Sequence, residues 1–138
     1  MQVRDFMTPI IITAEAEMLV TDAARLMAVN DVGSLVVTRG EVLVGLVTRK
    51  EIISAQLFSE ESYNSLILED VMLTPVITIA PDADVGQIVS LMTQSGRNYI
   101  PVIEGDEITG IVSGTDIIRV LATVKLIADG RPVEDSED

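Results

Sequence analysis

Two stretches of the chain carry the same apolar stripe. Val20, Ala23, Ala24 and Met27 fall at i, i+3, i+4 and i+7, and Val85, Ile88, Val89 and Met92 repeat that spacing. Each predicts a helix with one apolar face. A short extended segment leads into each helix, Ile10 to Thr13 in the first case and Val76 to Ile79 in the second. Asp82 or Asp84 is placed to cap the second helix, with Thr13 and Glu17 as weaker counterparts in the first. Two β-branched runs follow each helix. Ser34 to Thr38 and Val42 to Val47 flank Arg39-Gly40-Glu41, and Ile100 to Ile103 and Glu107 to Val112 flank Glu104-Gly105-Asp106. Short glycine-containing connections between such runs predict hairpins. The runs are nearly continuous in apolar character, which implies burial on both faces. A further helix is expected from near Arg49 to about Phe58, and another from near Gly114 to about Ala128.

The same string of elements therefore occurs twice. Aligning Val3 to Ile53 with Leu68 to Ile118 at a constant shift of 65 residues, without a gap, makes 13 of 51 positions identical. Among them are Asp5/Asp70, Met7/Met72, Gly40/Gly105, Gly45/Gly110 and Ile53/Ile118. A repeat of this length is a duplicated small domain, because a solenoid shows at least three shorter units. The expected fold is α+β, with two tandem β-α-β-β-α repeats related by a pseudo-twofold axis. The expected organisation is repeat 1 over 1–58, a polar linker over 59–67, repeat 2 over 68–128 and an acidic tail over 129–138. That tail has too little apolar content to fold and is expected to be disordered.

Bulk properties narrow the function. At 138 residues with 48% hydrophobic content, each half is marginal alone, so a shared core is expected, with some apolar surface covered by a second copy. No apolar run is long enough for a transmembrane helix, and the amino terminus resembles no secretory signal, which makes the cytoplasm the default. Neither histidine nor cysteine is present, which removes disulfides, cysteine-based zinc sites and catalysis by a Cys nucleophile or His base. No EF-hand spacing is seen. Twenty-two acidic against nine basic residues give a net charge of −13, a field that repels a phosphate backbone and argues against nucleic-acid binding. Only Lys50 and Lys125 are lysines. An acidic, lysine-poor surface suits a salt-adapted cytoplasm but is equally met in proteins that are merely acidic.

Certain motifs recur at fixed distance. Met7-Thr8-Pro9-Ile10-Ile11-Ile12-Thr13 answers Met72-Leu73-Thr74-Pro75-Val76-Ile77-Thr78. Gly45-Leu46-Val47-Thr48-Arg49-Lys50-Glu51-Ile52-Ile53 answers Gly110-Ile111-Val112-Ser113-Gly114-Thr115-Asp116-Ile117-Ile118, and Tyr99-Ile100-Pro101-Val102 leads into the latter. With the element order, these motifs resemble the CBS domain, and the tandem resembles a CBS pair, or Bateman module, over residues 3 to 125.

Ser113-x-x-Asp116 closes a strand and opens a helix. As a pattern it is a capping box, which Thr48-x-x-Glu51 fits better still. A helix start also attracts phosphate through its free amides and partial positive charge. There a hydroxyl can donate to a phosphate oxygen, and a carboxylate one turn in can accept from two vicinal ribose hydroxyls. In the resembled family this pair reads a nucleoside phosphate in a cleft between repeats. The resemblance implies Pro9, Ile10, Val32, Gly33 and Ser34 as the facing pieces for Ser113 and Asp116. It adds Ile111 as an apolar wall and Arg97 as a phosphate contact. A possible second site would use Thr48, Glu51, Leu46, Arg49, Thr74, Asn98 and Tyr99. Glu51 replaces the family's aspartate there, and Tyr99 could stack on a base, obstruct it or belong to the core. Asp5 and Asp70 read as caps or turn formers, and Met7, Met18, Met27, Met72 and Met92 as core filler.

The resulting expectation is a non-catalytic regulatory module. It binds AMP, ADP, ATP or an S-adenosylmethionine-like compound, carries no cofactor or metal, and forms a homodimer through its helices. Its output is a conformational change sensed by an unidentified partner protein. The alternative is a ligand-free interaction scaffold in which both S/T-x-x-D/E pairs are only caps.

Overall fold

The computed structural model describes residues 1–130. They form two compact units that exchange one segment relative to the sequence repeats. The first unit is Ile11–Ile77, and the second combines Met1–Ile10 with Thr78 onward. The opening segment of each repeat thus packs with the hairpin of the other.

In the first unit, strand β1 (Thr13–Glu15) is followed by helix α1 (Val20–Asn30), strands β2 (Ser34–Arg39) and β3 (Val42–Thr48), and helices α2 (Arg49–Ala55), α3 (Glu60–Ser65) and α4 (Leu68–Val71). The sheet order is β1-β2-β3, with β1 parallel and β3 antiparallel to β2. Glu15 fastens the edge strand. Its carboxylate accepts from the Thr38 hydroxyl at 2.6 Å and the Gly40 amide at 3.0 Å. The Thr38 hydrogen bond, then the Gly40 amide, hold its pKa below the ordinary glutamate value. Ala14, Val20, Ala23, Met27, Leu35, Val37, Val47, Ile52 and Leu68 make the core. The apolar stripe of α1 supplies three of these.

The second unit opens with a 3-10 turn at Val3–Asp5 and continues with α5 (Val85–Ser95), β4 (Tyr99–Glu104), β5 (Glu107–Ser113) and α6 (Gly114–Asp129). Among the described residues its sheet has two antiparallel strands, β4 and β5. Val3, Ile88, Ile100, Val102, Val112, Ile117 and Val120 are buried. Both hairpins turn at glycines with positive φ, Gly40 at 66° and Gly105 at 62°. Both also shift register at equivalent places, after Val37 and after Val102.

Several sequence expectations need correction. The extended segment before α1 forms a strand over Thr13–Glu15 rather than Ile10 to Thr13. The one before α5 leaves a single parallel bridge, Ile79 to Val102. The causes are Pro101 and Pro81, the latter equivalent to Ala16, whose amide donates to the Thr38 carbonyl at 2.9 Å. In the first unit the Val36 amide donates to the Ile12 carbonyl, and Pro101 occupies the position equivalent to Val36 with no N–H to give. Thr13 and Glu17 do not cap α1, whose N-cap is Leu19 without a side-chain bond, because Thr13 is taken up in β1. Asp84 does cap α5, accepting from the Gln87 amide at 2.8 Å. Helix α2 stops at Ala55 rather than Phe58. The linker is not bare, since Ser59 accepts from the Ser62 amide and starts α3 within it. Asp5 and Asp70 act as turn formers, accepting from the Gln2 and Ile67 amides at 2.8 and 2.9 Å. Met27 is buried, and Met7, Met18, Met72 and Met92 are half-buried. Asp129 is the last residue of α6, so the expected tail begins within a helix, and 131–138 lie outside the described residues.

Candidate functional site

Each unit ends its hairpin on a hydroxyl residue that caps the following helix. In the second unit, Ser113 closes β5 and is the N-cap of α6. Its Oγ accepts from the Asp116 amide at 3.2 Å, and Asp116 Oδ2 accepts from the Ser113 amide at 2.8 Å. The Gly114 amide donates to the Asn98 carbonyl at 3.0 Å, tying the helix start to the residue that enters β4. In the first unit, Glu51 Oε1 accepts from the Thr48 amide and hydroxyl at 2.7 and 2.6 Å. The Arg49 amide donates to the Gly33 carbonyl at 3.3 Å. Local geometry is therefore duplicated, down to the carbonyl that receives the first amide of the helix.

The two carboxylates differ in everything else they touch. Asp116 is only 1% exposed. Besides the capping box it accepts from the Ser113 hydroxyl at 3.1 Å and pairs with Arg119 Nη1 at 2.7 Å. The Thr8 hydroxyl reaches both of its oxygens, at 3.2 and 3.3 Å. Thr8 is held there by a two-way backbone bridge, donating to and accepting from Ile111 at 2.8 Å each way. The equivalent bridge in the first unit joins Leu73 to Leu46, so no hydroxyl stands beside Glu51 from that segment. Ser54 occupies the position equivalent to Arg119. A buried carboxylate needs such donors, because an unpaired charge away from water is costly.

The expected nucleotide-site residues divide between the units. Pro9, Ile10, Arg97, Ile111, Ser113 and Asp116 belong to the second unit, whereas Val32, Gly33 and Ser34 belong to the first. Of the expected second site, Leu46, Thr48, Arg49, Glu51 and Thr74 belong to the first unit, and Asn98 and Tyr99 to the second. Within the second unit the structure brings Ser113, Asp116, Ile111 and Asn98 together. Pro9 and Ile10 are exposed. Tyr99 pairs with Ser113 across the hairpin and is half-buried. The half-buried Arg97 donates its amide to Ser95 Oγ at 3.2 Å. Within the first unit Ser34 pairs with Thr48 and is buried. A cavity of about 280 Å³ there is lined by Met27, Asp31, Val32, Arg49 and Ile52, among others. A cavity in the second unit lies against Thr78, Asp82, Gln87 and Leu91. Neither is lined by Ser113 or Asp116.

Two residues at the carboxylate escaped sequence reading. Arg119 carries a usable signal, lying at i+3 from Asp116 on one helix. Thr8 carries none by itself, since its role follows from the exchange of opening segments. Among the described residues no cluster of His, Cys, Asp or Glu is placed to hold a metal ion, and no helix is long and apolar enough to cross a membrane.

Comparison with known proteins now fixes the family. The CBS domain model matches residues 3–57 and 68–123, so the chain belongs to the CBS-domain family as a tandem pair. It is 25% identical over 119 residues to an A-adding tRNA nucleotidyltransferase of Geobacter sulfurreducens, covering 86% of this chain and 13% of that protein. The chain spans 13%, 57% and 21% of the length of three curated relatives it matches. Among solved structures it is similar to the CBS domain pair of protein MJ0100 in complex with 5′-methylthioadenosine and S-adenosyl-L-methionine. There the TM-score is 0.81 and the identity 25%, with 90% of this chain and 98% of that one covered. A hexameric CBS-CP12 protein from bloom-forming cyanobacteria gives a TM-score of 0.81 at 26% identity, covering 91% of this chain and 74% of that one.

Proposed function

We propose that this CBS pair is a non-catalytic sensor of an adenosine-containing small molecule, with Ser113 and Asp116 of the second unit reading its phosphate end and ribose. One observation carries the reading. The Thr8 hydroxyl bridges both oxygens of Asp116, so the carboxylate already receives an alcohol in the manner of a ribose hydroxyl. Ser113 at the start of a 16-residue helix supplies a hydroxyl and the helix dipole for a phosphate. The similar MJ0100 pair binds two adenosyl compounds, which supports that ligand class. In the first unit Thr48 and Glu51 serve as a cap, with Arg49 adding charge beside a weaker site.

The scaffold reading has an observation of its own, because Asp116 is satisfied by residues of the chain and is buried. Thermal unfolding with AMP, ADP, ATP, S-adenosylmethionine and 5′-methylthioadenosine separates the two. A ligand at one hundred times its Kd stabilises by about 2.7 kcal/mol, which moves Tm by several degrees in a domain of this size. Flat melting curves with all five at millimolar concentration leave only the scaffold.

Self-association belongs to the same proposal. Ile118, Leu121, Val124 and Ile127 of α6 are all more than half exposed, a stripe that a second copy would cover. Sedimentation should give the mass of two chains. Ile118→Asp combined with Leu121→Asp should give the mass of one. A wild-type protein that sediments as a single chain removes the dimer.

A further inference from the structure

We infer that Arg119 is a competitor of the ligand: it occupies the carboxylate that ribose must reach, and so sets the affinity of the second unit. The inference rests on the adenosyl-binding reading above. Asp116 has three kinds of partner, and they are not equally able to leave. The Ser113 amide belongs to the capping box, so releasing it unwinds the start of α6, while the Ser113 hydroxyl's bond to Oδ2 can turn to a phosphate and leaves Oδ1 as it is. Thr8 is pinned by its two backbone bonds to Ile111. Arg119 is different: its side chain is 67% exposed while that of Asp116 is 1% exposed. The guanidinium therefore meets Oδ1 at 2.7 Å from the solvent side, on a long flexible stem that can withdraw into water.

Two vicinal hydroxyls need an acceptor each, and a charge-assisted bond from a guanidinium is the strongest claim on Oδ1. Ribose must displace it. The price of that displacement is the worth of one ion pair whose arginine is already largely in solvent and rehydrates on release, which is modest. Asp22 and Asp116 each pair with an arginine three residues on; Asp22 is exposed and Asp116 is buried, so at Asp116 the pair closes off a carboxylate. The first unit has no such competitor, since Ser54 stands at the equivalent position.

The test is calorimetric titration of wild type, Arg119→Met and Arg119→Lys with adenosine and with AMP. Adenosine is the decisive probe, because it carries no anion for a released guanidinium to bind. Methionine keeps the helix propensity and the aliphatic stem without the charge. Arg119→Met should bind adenosine about five-fold more tightly than wild type, and Arg119→Lys should stay close to wild type. Binding of adenosine by Arg119→Met alone also supports the inference. Equal or weaker adenosine binding by Arg119→Met, in a protein whose wild type binds AMP, overturns it while leaving the sensor intact. If neither ligand binds either protein, the sensor and the inference fall together.

Discussion

Asp116→Ala is expected to abolish adenosyl binding and to cost about 2–4 kcal/mol of stability, more than the loss of an ordinary cap. The carboxylate serves several donors at once. Truncation leaves the Ser113 amide without its capping partner, worth about 0.5–2 kcal/mol. It also leaves the Thr8 hydroxyl facing a cavity, and an orphaned buried donor costs about 1–3 kcal/mol. Arg119 adds little, because its exposed head rehydrates freely. Glu51→Ala supplies the internal control. Glu51 is held by the Thr48 amide and hydroxyl and is half-buried, so its removal should cost only about 1 kcal/mol. Urea unfolding of the two variants measures the difference, and equal losses would mean that the Thr8 contact contributes nothing. Asp116→Asn separates binding from folding: it keeps the volume and one acceptor, so its fold should survive better while ribose loses an ionised partner. An alanine variant that keeps wild-type affinity for an adenosyl ligand places binding elsewhere in the chain.

Much of this architecture was open to reading because it rests on local periodicity. The stripes of α1 and α5, the glycine turns at Gly40 and Gly105, and the S/T-x-x-D/E helix starts need no long-range information. What escaped was long-range or negative. The second parallel strand fails because Pro101 and Pro81 lack the N–H groups that Val36 and Ala16 give, a defect visible only once these equivalences are set beside the ladder of the first unit. The exchange of opening segments could not be read from the residue pattern, although the family resemblance implies it by setting Pro9 and Ile10 against Ser113 and Asp116. Met7 and Met72 are equivalent, as are Gly110 and Gly45, so each methionine matches either glycine equally well in sequence. The structure seats Met7 on Gly110 and Met72 on Gly45. That choice alone brings Thr8 to Asp116, which is why the most heavily used carboxylate in the fold looks like a simple cap in the sequence.

The same two glycines give the second large prediction: Gly110→Ala should destabilise by about 2–3 kcal/mol, and Gly45→Ala by about 1 kcal/mol or less. Both glycines are buried in their hairpins with a methionine laid across them. A Cβ at Gly45 meets side-chain atoms of Met72, with Cγ at 2.7 Å and Cβ at 3.1 Å. Methionine is unbranched and half-buried here, so its Sδ and Cγ can swing aside, and the contact with its Cβ asks only a few tenths of an ångström of the backbone. A Cβ at Gly110 meets Met7 Sδ at 2.6 Å and also the Thr8 carbonyl oxygen at 2.9 Å. That oxygen cannot yield cheaply, because it accepts from the Ile111 amide at 2.8 Å and the Thr8 amide returns a bond of the same length. Pushing it away opens the bridge and withdraws the Thr8 hydroxyl from Asp116. A second substitution distinguishes the mechanisms. Met72→Ala should restore most of what Gly45→Ala loses, whereas Met7→Ala should restore only part of the loss from Gly110→Ala, because the backbone clash remains. Denaturant midpoints of the four variants decide it, and full rescue at Gly110 by Met7→Ala would show that the backbone bridge is softer than its two short bonds imply.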